Sequence, residues 1–425
     1  MTALKRVVDN DFMHVLVVTQ YFWPENFRIN DVALGLKEKG HEVTVLTGQP
    51  NYPDGRFFPG YGFITKLEEQ YEGINILRVP LIPRGNGGTV RLLLNFFSFA
   101  LSASLLGGWR CRGTYDVMLV FEPSPVTVGI PAMVLKKLRG TPILFWVQDL
   151  WPESLSATGT TESKWILSVV ESLVRLIYRH CDKILVQSEA FRAPIERLGV
   201  KREAIAYFPN SAESFYRPLA LERDASEQAR LPKGFRVMFG GNIGKAQSFE
   251  TILDAAQVLK ERPDIHWVIL GDGRMFSWVR DEVQKRGLDS TVHLLGRFPA
   301  EQMPRYFAMA DVLLVTLRRQ PIFSLTIPSK IQSYLACGRP IIAALEGEGA
   351  RVVREARAGL TTSSEDSAAL ADAVLAMYRM PEEERRAMGL RGRIYFETHF
   401  ERAILLDRLV RWMTELKKVA IACAS

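Results

Sequence analysis

The amino-acid sequence predicts an α/β protein with two doubly wound, parallel-sheet domains. Three observations indicate this class. Short, continuous apolar runs alternate with helical patterns, as expected of parallel strands that are buried on both faces. These runs form two series, separated by a polar stretch at residues 214–233. The chain has 425 residues, which is too long for one core and suits two domains of about 200 residues each.

Ten of the apolar runs are predicted strands. Those of the first series lie at residues 14–19, 43–47, 117–121, 143–147 and 184–186. Those of the second series lie at residues 237–239, 267–270, 292–295, 312–315 and 341–344. Near the carboxyl end, residues 401–419 have the pattern of one long amphipathic helix.

The composition is that of a soluble globular protein, with 47% hydrophobic and 24% charged residues, and it excludes a disordered, fibrous or multi-span membrane protein. The net charge of +7 favours anionic partners: phosphates, nucleic acid or an acidic membrane face. Four widely separated cysteines argue against disulfides and structural zinc, and for a reducing compartment. They are Cys111, Cys181, Cys337 and Cys423. The first twelve residues lack the apolar core of a signal peptide, so we expect a cytoplasmic protein.

One apolar stretch, residues 92–106, is 15 residues long and is interrupted by Asn95 and three serines. It is shorter than the roughly 20 residues that span a bilayer. It predicts either a buried or half-buried helix, or a helix lying in the membrane interface. The second interpretation is favoured by four arginines around the stretch and by the absence of acids between residues 83 and 115. The arginines are Arg84, Arg91, Arg110 and Arg112.

The turn after the first predicted strand reads QYFWPENFR and contains no glycine. A dinucleotide site needs glycines here, because the backbone must approach a pyrophosphate closely, so a nicotinamide site is not expected. Aromatic, acidic and amide side chains at the end of a strand suit a sugar or a lipid-linked glycan. Trp23, Glu25 and Asn26 are the candidate contacts. A packed aromatic loop is the alternative interpretation.

In the second domain, the first strand leads into FGGNIGKAQ at residues 239–247. Glycines at such a turn let backbone N–H groups approach an anion, and Asn242 and Lys245 add donors. The turn is not a Walker loop, because Phe239 occupies the first glycine position and Ala246 the position of the magnesium-binding hydroxyl.

A further segment, TIPSKIQSYLACGRP at residues 326–340, predicts a helix. Pro328 and Ser329 are typical of a helix start, and Gly338 is typical of a helix end. The free N–H groups and positive dipole end of this helix, together with Lys330, form a candidate diphosphate site. The alternative is a structural helix with a solvated lysine.

Metal chemistry has little support in the sequence. There is no H-E-x-x-H motif, and the single D-x-D motif lies at residues 9–11, ahead of the first strand. We therefore expect no metal site.

In this order and spacing, the segments QYFWPEN, GHEVTVLTG, QDLWPESL, FPNSAE, GGNIGKAQ, LGDG and IPSKIQSYLACGRP resemble the retaining glycosyltransferases of family 4. The resemblance is strongest to the branch that acts in bacterial surface-polysaccharide synthesis. It implies the GT-B fold: two Rossmann-like domains facing a cleft. Residues 1–215 would bind the acceptor and residues 216–395 the nucleotide sugar, while a helix within residues 396–425 would cross back to the first domain.

By position, the resemblance assigns donor-binding residues in the second domain. Those expected at the diphosphate are Gly241, Asn242, Lys245, Gln247, Ser329 and Lys330. Those expected nearer the nucleoside are Gly271, Asp272, Gly273 and Phe298. The family's usual pair of glutamates is missing, because its two positions fall on Leu325 and Ser333. Because Ser333 occupies one of these two donor-contacting positions, it is a further donor-binding candidate.

The resemblance also implies the catalytic groups. Lys330 and Lys245 would stabilise the departing diphosphate without a metal. Asp149 or Glu122 would orient the acceptor hydroxyl or support the developing positive charge, with Glu153 as a further acceptor contact. The family's frequent histidine is replaced by Phe121.

The expected function is metal-independent, retaining transfer of a sugar, such as an N-acetylated 6-deoxyhexose, from a UDP-sugar to a glycan. The glycan is expected on a polyprenyl diphosphate, in O-antigen or capsule synthesis. We expect no cofactor, no nucleic-acid partner, and peripheral attachment to the anionic inner face of the plasma membrane. Two alternatives are a nucleotide-sugar epimerase of the same fold and a non-catalytic glycan-binding subunit.

Overall fold

The computed structural model describes residues 12–157, 163–220 and 227–424. These residues form two compact units. Unit 1 comprises the described residues up to Gln187, then Phe191–Phe208 and the residues from Leu406 onward. Unit 2 comprises Ser188–Ala190 and the described part of Pro209–Leu405. The main divisions therefore follow residues 208 and 405, whereas the sequence placed them after residues 215 and 395.

Within its described residues, unit 1 contains eight strands, six complete helices and most of the carboxyl-terminal helix, which is described below. The strands are β1 (His14–Val18), β2 (Glu42–Gly48), β3 (Glu68–Tyr71), β4 (Ile74–Val79), β5 (Val117–Glu122), β6 (Ile143–Val147), β7 (Lys183–Val186) and β8 (Ile205–Tyr207). The helices are α1 (Arg28–Glu38), α2 (Thr89–Arg110), α3 (Gly129–Arg139), α4 (Glu153–Ala157), α5 (Lys164–His180) and α6 (Arg192–Arg197). The strands form one sheet in the order β3-β4-β2-β1-β5-β6-β7-β8, parallel except for the β3–β4 pair.

Unit 2 contains six strands, β9 (Phe235–Gly240), β10 (Ile265–Leu270), β11 (Val292–Gly296), β12 (Val312–Thr316), β13 (Ile341–Ala344) and β14 (Gly359–Thr362). Its helices are α7 (Phe249–Val258), α8 (Phe276–Arg286), α9 (Met303–Phe307), α10 (Pro321–Leu325), α11 (Ser329–Ala336), α12 (Glu348–Glu355), α13 (Ser367–Arg379) and α14 (Glu382–His399). The sheet order, β11-β10-β9-β12-β13-β14, is fully parallel and is that of a doubly wound nucleotide-binding domain. The order reverses between β9 and β12, which places a crevice at their carboxyl ends.

The ten predicted strands are all present, and the α/β prediction is confirmed. Each central strand is buried along its length because its apolar run packs against helices on both faces, as β6 (ILFWV) illustrates. The sequence did not predict β3, β4, β8 and β14. β3 is a charged edge strand, and β4 carries the fully buried Arg78 within an otherwise apolar run, so neither shows a continuous apolar pattern.

Helix α2 has 22 residues and is longer than the apolar run that predicted it. Its inner face packs against β2, β4 and α3, where Gly107 allows a close approach, since a Cβ there would lie 3.1 Å from Leu46. By length and composition it is the one helix in the described ranges that could cross a membrane. Its outer face carries seven exposed, large apolar side chains: Val90, Leu93, Leu94, Phe97, Leu101, Leu105 and Trp109. The helix is therefore half-buried, with an exposed apolar face.

The last helix, α15 (Arg402–Ala424), follows α14 directly. Its residues from Leu406 onward belong to unit 1. There, the ammonium of Lys417 donates to the carbonyl oxygen of Phe12 at 2.9 Å and lies 3.3 Å from an Asp116 carboxylate oxygen. The ring of Trp412 meets that of Phe208 edge to face, with centroids 6.1 Å apart. The carboxyl-terminal helix thus contributes to the packing of unit 1.

Candidate functional site

The carboxyl ends of β9 and β10 in unit 2 carry two glycine turns that pack on each other. The N–H of Gly241 donates to the carbonyl oxygen of Leu270 at 2.8 Å, and that of Ile243 donates to Asp272 at 2.8 Å. A Cβ at Gly271 would lie 1.8 Å from the carbonyl oxygen of Gly241, so a side chain cannot be accommodated there. The glycines of both predicted turns therefore form one compact backbone surface at the crevice of the sheet.

Lys330 lies directly beside this surface. It is the second residue of α11, whose N-cap position, Pro328, provides no side-chain hydrogen bond to the first turn. A Cβ at Gly241 would lie 2.8 Å from Lys330 Cε and 3.1 Å from its Nζ. The Nζ also lies 4.9 Å from the centroid of the Phe239 ring. The lysine side chain and the first turn of α11 thus approach the same glycine turn.

The ammonium of Lys330 has no carboxylate within 4.0 Å among the described residues. Burial lowers its pKa to about 8, since desolvation disfavours the charged form. An unpaired, partly desolvated cation beside backbone N–H groups and a helix amino end attracts an anion strongly. This arrangement suits a phosphate or a diphosphate.

The other predicted donor residues divide by exposure. Asn242 and Lys245 are exposed on the turn. Gln247 instead closes the turn, because its side-chain oxygen accepts from the N–H of Gly244 at 3.1 Å. Ser333 is buried and its hydroxyl donates to the carbonyl oxygen of Ser329 at 3.2 Å, within α11. Gln247 and Ser333 therefore have structural hydrogen bonds, while Asn242 and Lys245 are open to a ligand.

Phe298 and Asp272 follow neighbouring strands. The Phe298 ring lies 4.6 Å from the Tyr306 ring, and the guanidinium of Arg230 lies 5.9 Å from its centroid. The carboxylate of Asp272 is exposed and accepts from the N–H of Gly273 at 2.7 Å. The structure thus places an aromatic ring after β11 and a carboxylate after β10, beyond the carboxyl ends of two adjacent strands.

Sequence reasoning missed one cation near the glycine turn. The backbone N–H of Arg318 donates to the carbonyl oxygen of Ala246 at 2.9 Å, and its guanidinium donates to Glu250 at 2.5 Å. Its position three residues after the predicted strand 312–315, close to the carboxyl end of that strand, was the signal that could have identified it. Because Glu250 neutralises Arg318, Lys330 is the unpaired cation of the two.

In unit 1, two carboxyl groups lie at the ends of the adjacent strands β5 and β6. Glu122, the last residue of β5, is 0% exposed, and burial raises its pKa well above the ordinary value, with a further contribution from the charge of Asp149. Asp149 is half-buried, and burial raises its pKa to about 6. Burial thus disfavours the ionised form of Glu122, while Asp149, with a pKa of about 6, is ionised at neutral pH. Asp149 is the member of the pair that a ligand can reach.

The backbone around these groups is held by hydrogen bonds. The N–H of Gln148 donates to the carbonyl oxygen of Glu122 at 3.0 Å, and the side-chain amide of Gln187 donates to the carbonyl oxygen of Gln148 at 2.7 Å. Glu153 begins the short helix α4 and is half-buried. The structure thus brings Glu122 and Asp149 to the carboxyl ends of two adjacent interior strands. Glu153 follows Asp149 by four residues in the chain.

The predicted acceptor contacts in the QYFWPEN turn are mostly packed. The Trp23 ring stacks on Tyr71 at 4.7 Å, and its carbonyl oxygen accepts from Arg78 at 2.5 Å. Glu25 is 1% exposed, and burial raises its pKa to about 7. Asn26 is exposed. For Trp23 and Glu25, the geometry favours the packed-loop interpretation over direct contact with a sugar.

Among the described residues, no group of three or more histidine, cysteine, aspartate or glutamate side chains is arranged to hold a metal ion. The predicted D-x-D motif at residues 9–11 lies outside the described ranges.

Comparison with known proteins gives consistent matches for both units. Residues 26–211 match the family described as glycosyl transferase 4-like domain, and residues 234–380 match glycosyl transferases group 1. The chain is 26% identical over 316 residues to the putative colanic acid biosynthesis glycosyl transferase WcaI of Escherichia coli K12, covering 71% of this chain and 75% of that one. It is 29% identical over 288 residues to the probable glycosyltransferase WbjE of Pseudomonas aeruginosa, covering 65% and 68%.

Two solved structures show the fold. Anabaena Alr3699/HepE in complex with UDP has a TM-score of 0.69 at 13% identity, covering 95% of this chain and 100% of that chain. WaaG, a glycosyltransferase involved in lipopolysaccharide biosynthesis, has a TM-score of 0.64 at 12% identity, covering 95% and 100%. These likenesses confirm the predicted GT-B fold with two Rossmann-like domains.

Proposed function

This chain belongs to the group 1 glycosyltransferases and has a glycosyltransferase 4-like domain ahead of the group 1 domain, and from this premise we propose its function. It is a retaining, metal-independent transferase. It takes a sugar from a UDP-sugar and adds it to a glycan acceptor in surface-polysaccharide synthesis. The names of the relatives support this role, since they include transferases of colanic acid and amylovoran biosynthesis.

The single observation that carries the proposal is the unpaired ammonium of Lys330 beside the Gly241 turn. A buried cation without a partner is costly, and a donor diphosphate would supply the missing negative charge. The related Anabaena protein binds UDP, which supports a uridine nucleotide as the donor's leaving group.

In the proposed reaction, Lys330 and the amino end of α11 stabilise the charge that develops on the departing diphosphate. Lys245, exposed on the glycine turn, adds a second positive charge. Cations and a helix end can supply this stabilisation in place of a metal ion. Binding that strengthens as the glycosidic bond breaks lowers the barrier to transfer.

Unit 1 supplies the acceptor chemistry. The ionised Asp149 would accept a hydrogen bond from the acceptor hydroxyl and orient it for attack on the sugar carbon. The hydroxyl attacks on the face from which the diphosphate leaves, and the leaving phosphate takes its proton. This sequence retains the anomeric configuration and requires no carboxylate nucleophile, in contrast to retaining glycosidases. Glu122, whose full burial raises its pKa, would act through Asp149 as a positioning residue.

We further propose that the sugar is an N-acetylated 6-deoxyhexose, that the acceptor glycan is carried on a polyprenyl diphosphate, and that the protein works at the cytoplasmic face of the plasma membrane. The exposed apolar face of α2 supports membrane docking, and α5 adds Trp165, Ile166 and Val169, all exposed. Lys137 and Arg139 of α3 lie in the same unit and would add attraction to anionic lipid, whereas Lys136 is paired with Asp182 at 2.6 Å.

A mass-spectrometric screen of UDP-sugars against short prenyl-diphosphate glycans tests the proposal. The expected result is a product heavier by one sugar residue, with release of UDP. Conversion of the UDP-sugar without an acceptor would indicate an epimerase instead. Binding of glycan without UDP release or UDP binding would indicate a non-catalytic subunit.

A further inference from the structure

Four side chains in unit 1 form a cationic aromatic surface, which we name the Arg84 platform: Tyr21, Phe27, Tyr52 and Arg84. The Tyr21 and Phe27 rings stack with centroids 5.0 Å apart, and Tyr52 lies 5.3 Å from Phe27. The guanidinium of Arg84 lies 4.9 Å from the Tyr52 centroid and 5.9 Å from that of Tyr21. It also donates to the Tyr21 hydroxyl at 3.4 Å. The rings thus hold the guanidinium in place from one side.

The backbone of the platform is fixed by the QYFWPEN turn. Glu25 accepts from the backbone N–H groups of Asn51 and Tyr52 at 2.8 Å and 2.7 Å. The side-chain oxygen of Asn51 then accepts from the N–H of Arg84 at 3.0 Å. The buried side chains of Glu25 and Asn51 therefore connect the QYFWPEN turn to the loop that carries Arg84.

A second set of contacts holds the rear of the platform. The side-chain amide of Gln20 donates to the Tyr21 hydroxyl at 3.3 Å and to Asn95 of α2 at 2.7 Å. Asn95 in turn donates to the carbonyl oxygen of Ile82 at 2.7 Å. Gln20 and Asn95 are both at most 1% exposed. The loop that carries Arg84 is thus held by several buried polar side chains. Such a network indicates that the surface is preorganised for a ligand.

The charge of the platform is not balanced by the protein. Among the described residues, no carboxylate lies within 4.0 Å of the guanidinium of Arg84 or of Arg91, which is exposed on the first turn of α2. Tyr52 is 38% exposed, so a ligand can reach its ring. The apolar outer face of α2 begins at Val90, directly after this loop. An anion, a sugar ring and a hydrocarbon chain would each find a complementary surface here.

We infer that the Arg84 platform binds the diphosphate of the lipid-linked acceptor, with Arg84 pairing the phosphate oxygens and Tyr52 contacting the first sugar. A guanidinium presents a planar fork of donors that matches phosphate oxygens, and aromatic rings stack on the apolar faces of sugars. The inference rests on the proposed function for the identity of the acceptor. It assigns a recognition role to Arg84, which the sequence placed only beside the apolar stretch 92–106, and to Tyr52, which the sequence did not single out.

The chain offers a matched control for Arg84. The guanidinium of Arg112 lies 5.0 Å from the centroid of the Trp109 ring, at the other end of α2, and it too has no carboxylate within 4.0 Å in the described ranges. It is a cation on an aromatic ring without the buried network behind it. A ligand that is merely attracted to positive charge would respond equally to both arginines.

The test measures binding of farnesyl diphosphate to the full chain by calorimetry, with UDP at saturation to occupy the donor site. We expect Arg84→Gln to weaken binding about tenfold or more, and Arg84→Lys to weaken it less, since a lysine keeps the charge and loses the fork. Arg112→Gln should leave the affinity within twofold, and neutral farnesol should bind all variants equally. Inorganic pyrophosphate should compete with farnesyl diphosphate in the wild type.

Equal affinity of Arg84→Gln and the wild type would overturn the inference, as would an equal loss in Arg112→Gln. Competition by farnesol but not by pyrophosphate would also overturn it, because the site would then recognise the hydrocarbon chain. Thermal unfolding of Arg84→Gln and Arg84→Lys checks that both variants are folded, and the Lys variant keeps the test valid if the Gln variant is not. Turnover is not measured, so failure of sugar transfer would contradict the proposed function and leave this site standing.

Discussion

The Nζ of Lys330 lies 4.9 Å from the centroid of the Phe239 ring, at the start of α11 and beside the glycine turn that follows β9. The aromatic face and the turn leave this ammonium no carboxylate partner among the described residues. Burial removes water from the Lys330 ammonium without supplying a negative charge, so the charged form is disfavoured and the pKa of Lys330 is lowered. A diphosphate bound at the turn would restore the missing stabilisation.

Lys330→Ala should therefore weaken UDP binding. The loss of one charge-assisted contact costs about 1.5–3 kcal/mol, which is roughly a 10- to 150-fold increase in the dissociation constant. Calorimetric titration of the purified variant with UDP checks this. Lys233→Ala, at an exposed lysine of the same unit, is the matched control and should bind UDP like the wild type. Unchanged affinity in the Lys330 variant would place the diphosphate elsewhere.

UDP affinity should also depend on pH. Lys330 is protonated below its pKa of about 8 in the free protein, and UDP binds the protonated form. The affinity should therefore be constant near pH 7 and fall as pH rises through 8, by up to about tenfold per unit. The phosphates of UDP are already ionised in this range. In Lys330→Arg, whose charge does not titrate, the fall between pH 7 and 9.5 should disappear; the same fall in both proteins would contradict the assignment.

The two carboxyl groups of unit 1 should respond differently to removal of charge. Asp149→Asn should reduce kcat by at least tenfold with UDP affinity unchanged, because it replaces the ionised acceptor of the hydroxyl hydrogen bond. Glu122→Gln should keep kcat within about threefold, since burial disfavours the charged form of Glu122 and the neutral amide has the same shape. Steady-state kinetics on the two variants, with UDP titration of each, measure the change in kcat and in UDP affinity. Equal losses would mean that Glu122 is ionised during the reaction.

Glu25 should make unit 1 less stable as pH rises. Its folded-state pKa is about 7 and its ordinary value is 4.5, because desolvation outweighs the stabilising N–H groups of Asn51 and Tyr52 and the charge of Arg78. A raised acid pKa contributes stability that is complete below pH 4.5 and is lost as pH rises through 7. The contribution is a few kcal/mol at most. Thermal unfolding at pH 5 and pH 8 should show a smaller drop in Tm for Glu25→Gln than for the wild type, and an identical drop would be a contradiction.

Attachment to anionic vesicles should depend on the outer face of α2. Replacing the exposed Leu101 and Leu105 with serine removes apolar surface from the proposed contact and should abolish co-sedimentation with anionic vesicles at low salt. The control replaces Leu390 and Ile394, exposed on α14 of unit 2, and should bind like the wild type. A wild-type chain that stays in solution at low salt would contradict membrane docking.

The sequence predicted most of the fold because central parallel strands must be apolar along their length, and this pattern is visible without homologues. It could not predict β4, where Arg78 lies inside the strand and is neutralised by Glu69 and backbone carbonyl groups. Such a partner is set by tertiary contacts. The same limit explains why Arg84 was placed only as a flank of α2: its rings come from residues 21, 27 and 52, which the fold alone brings together.

The residues of the candidate site likewise fall into those that the sequence can identify and those whose role depends on tertiary contacts. Lys330 could be identified from the sequence, because a Pro-Ser start places it at a helix amino end whatever the rest of the chain does. The roles of Gln247 and Ser333 could not, since each side chain is used by its own turn or helix. Nor could the difference between Glu122 and Asp149, which depends on how deeply each is buried.

The most direct test of the central claim is sugar transfer in the presence of EDTA, followed by mass spectrometry and by proton NMR of the product's anomeric centre. We expect the wild type to add one sugar to the prenyl-diphosphate glycan without a divalent ion and with the donor's anomeric configuration kept. Lys330→Ala should lose at least nine-tenths of the rate. An inverted product, a requirement for magnesium or manganese, or full activity of the Lys330 variant would contradict it.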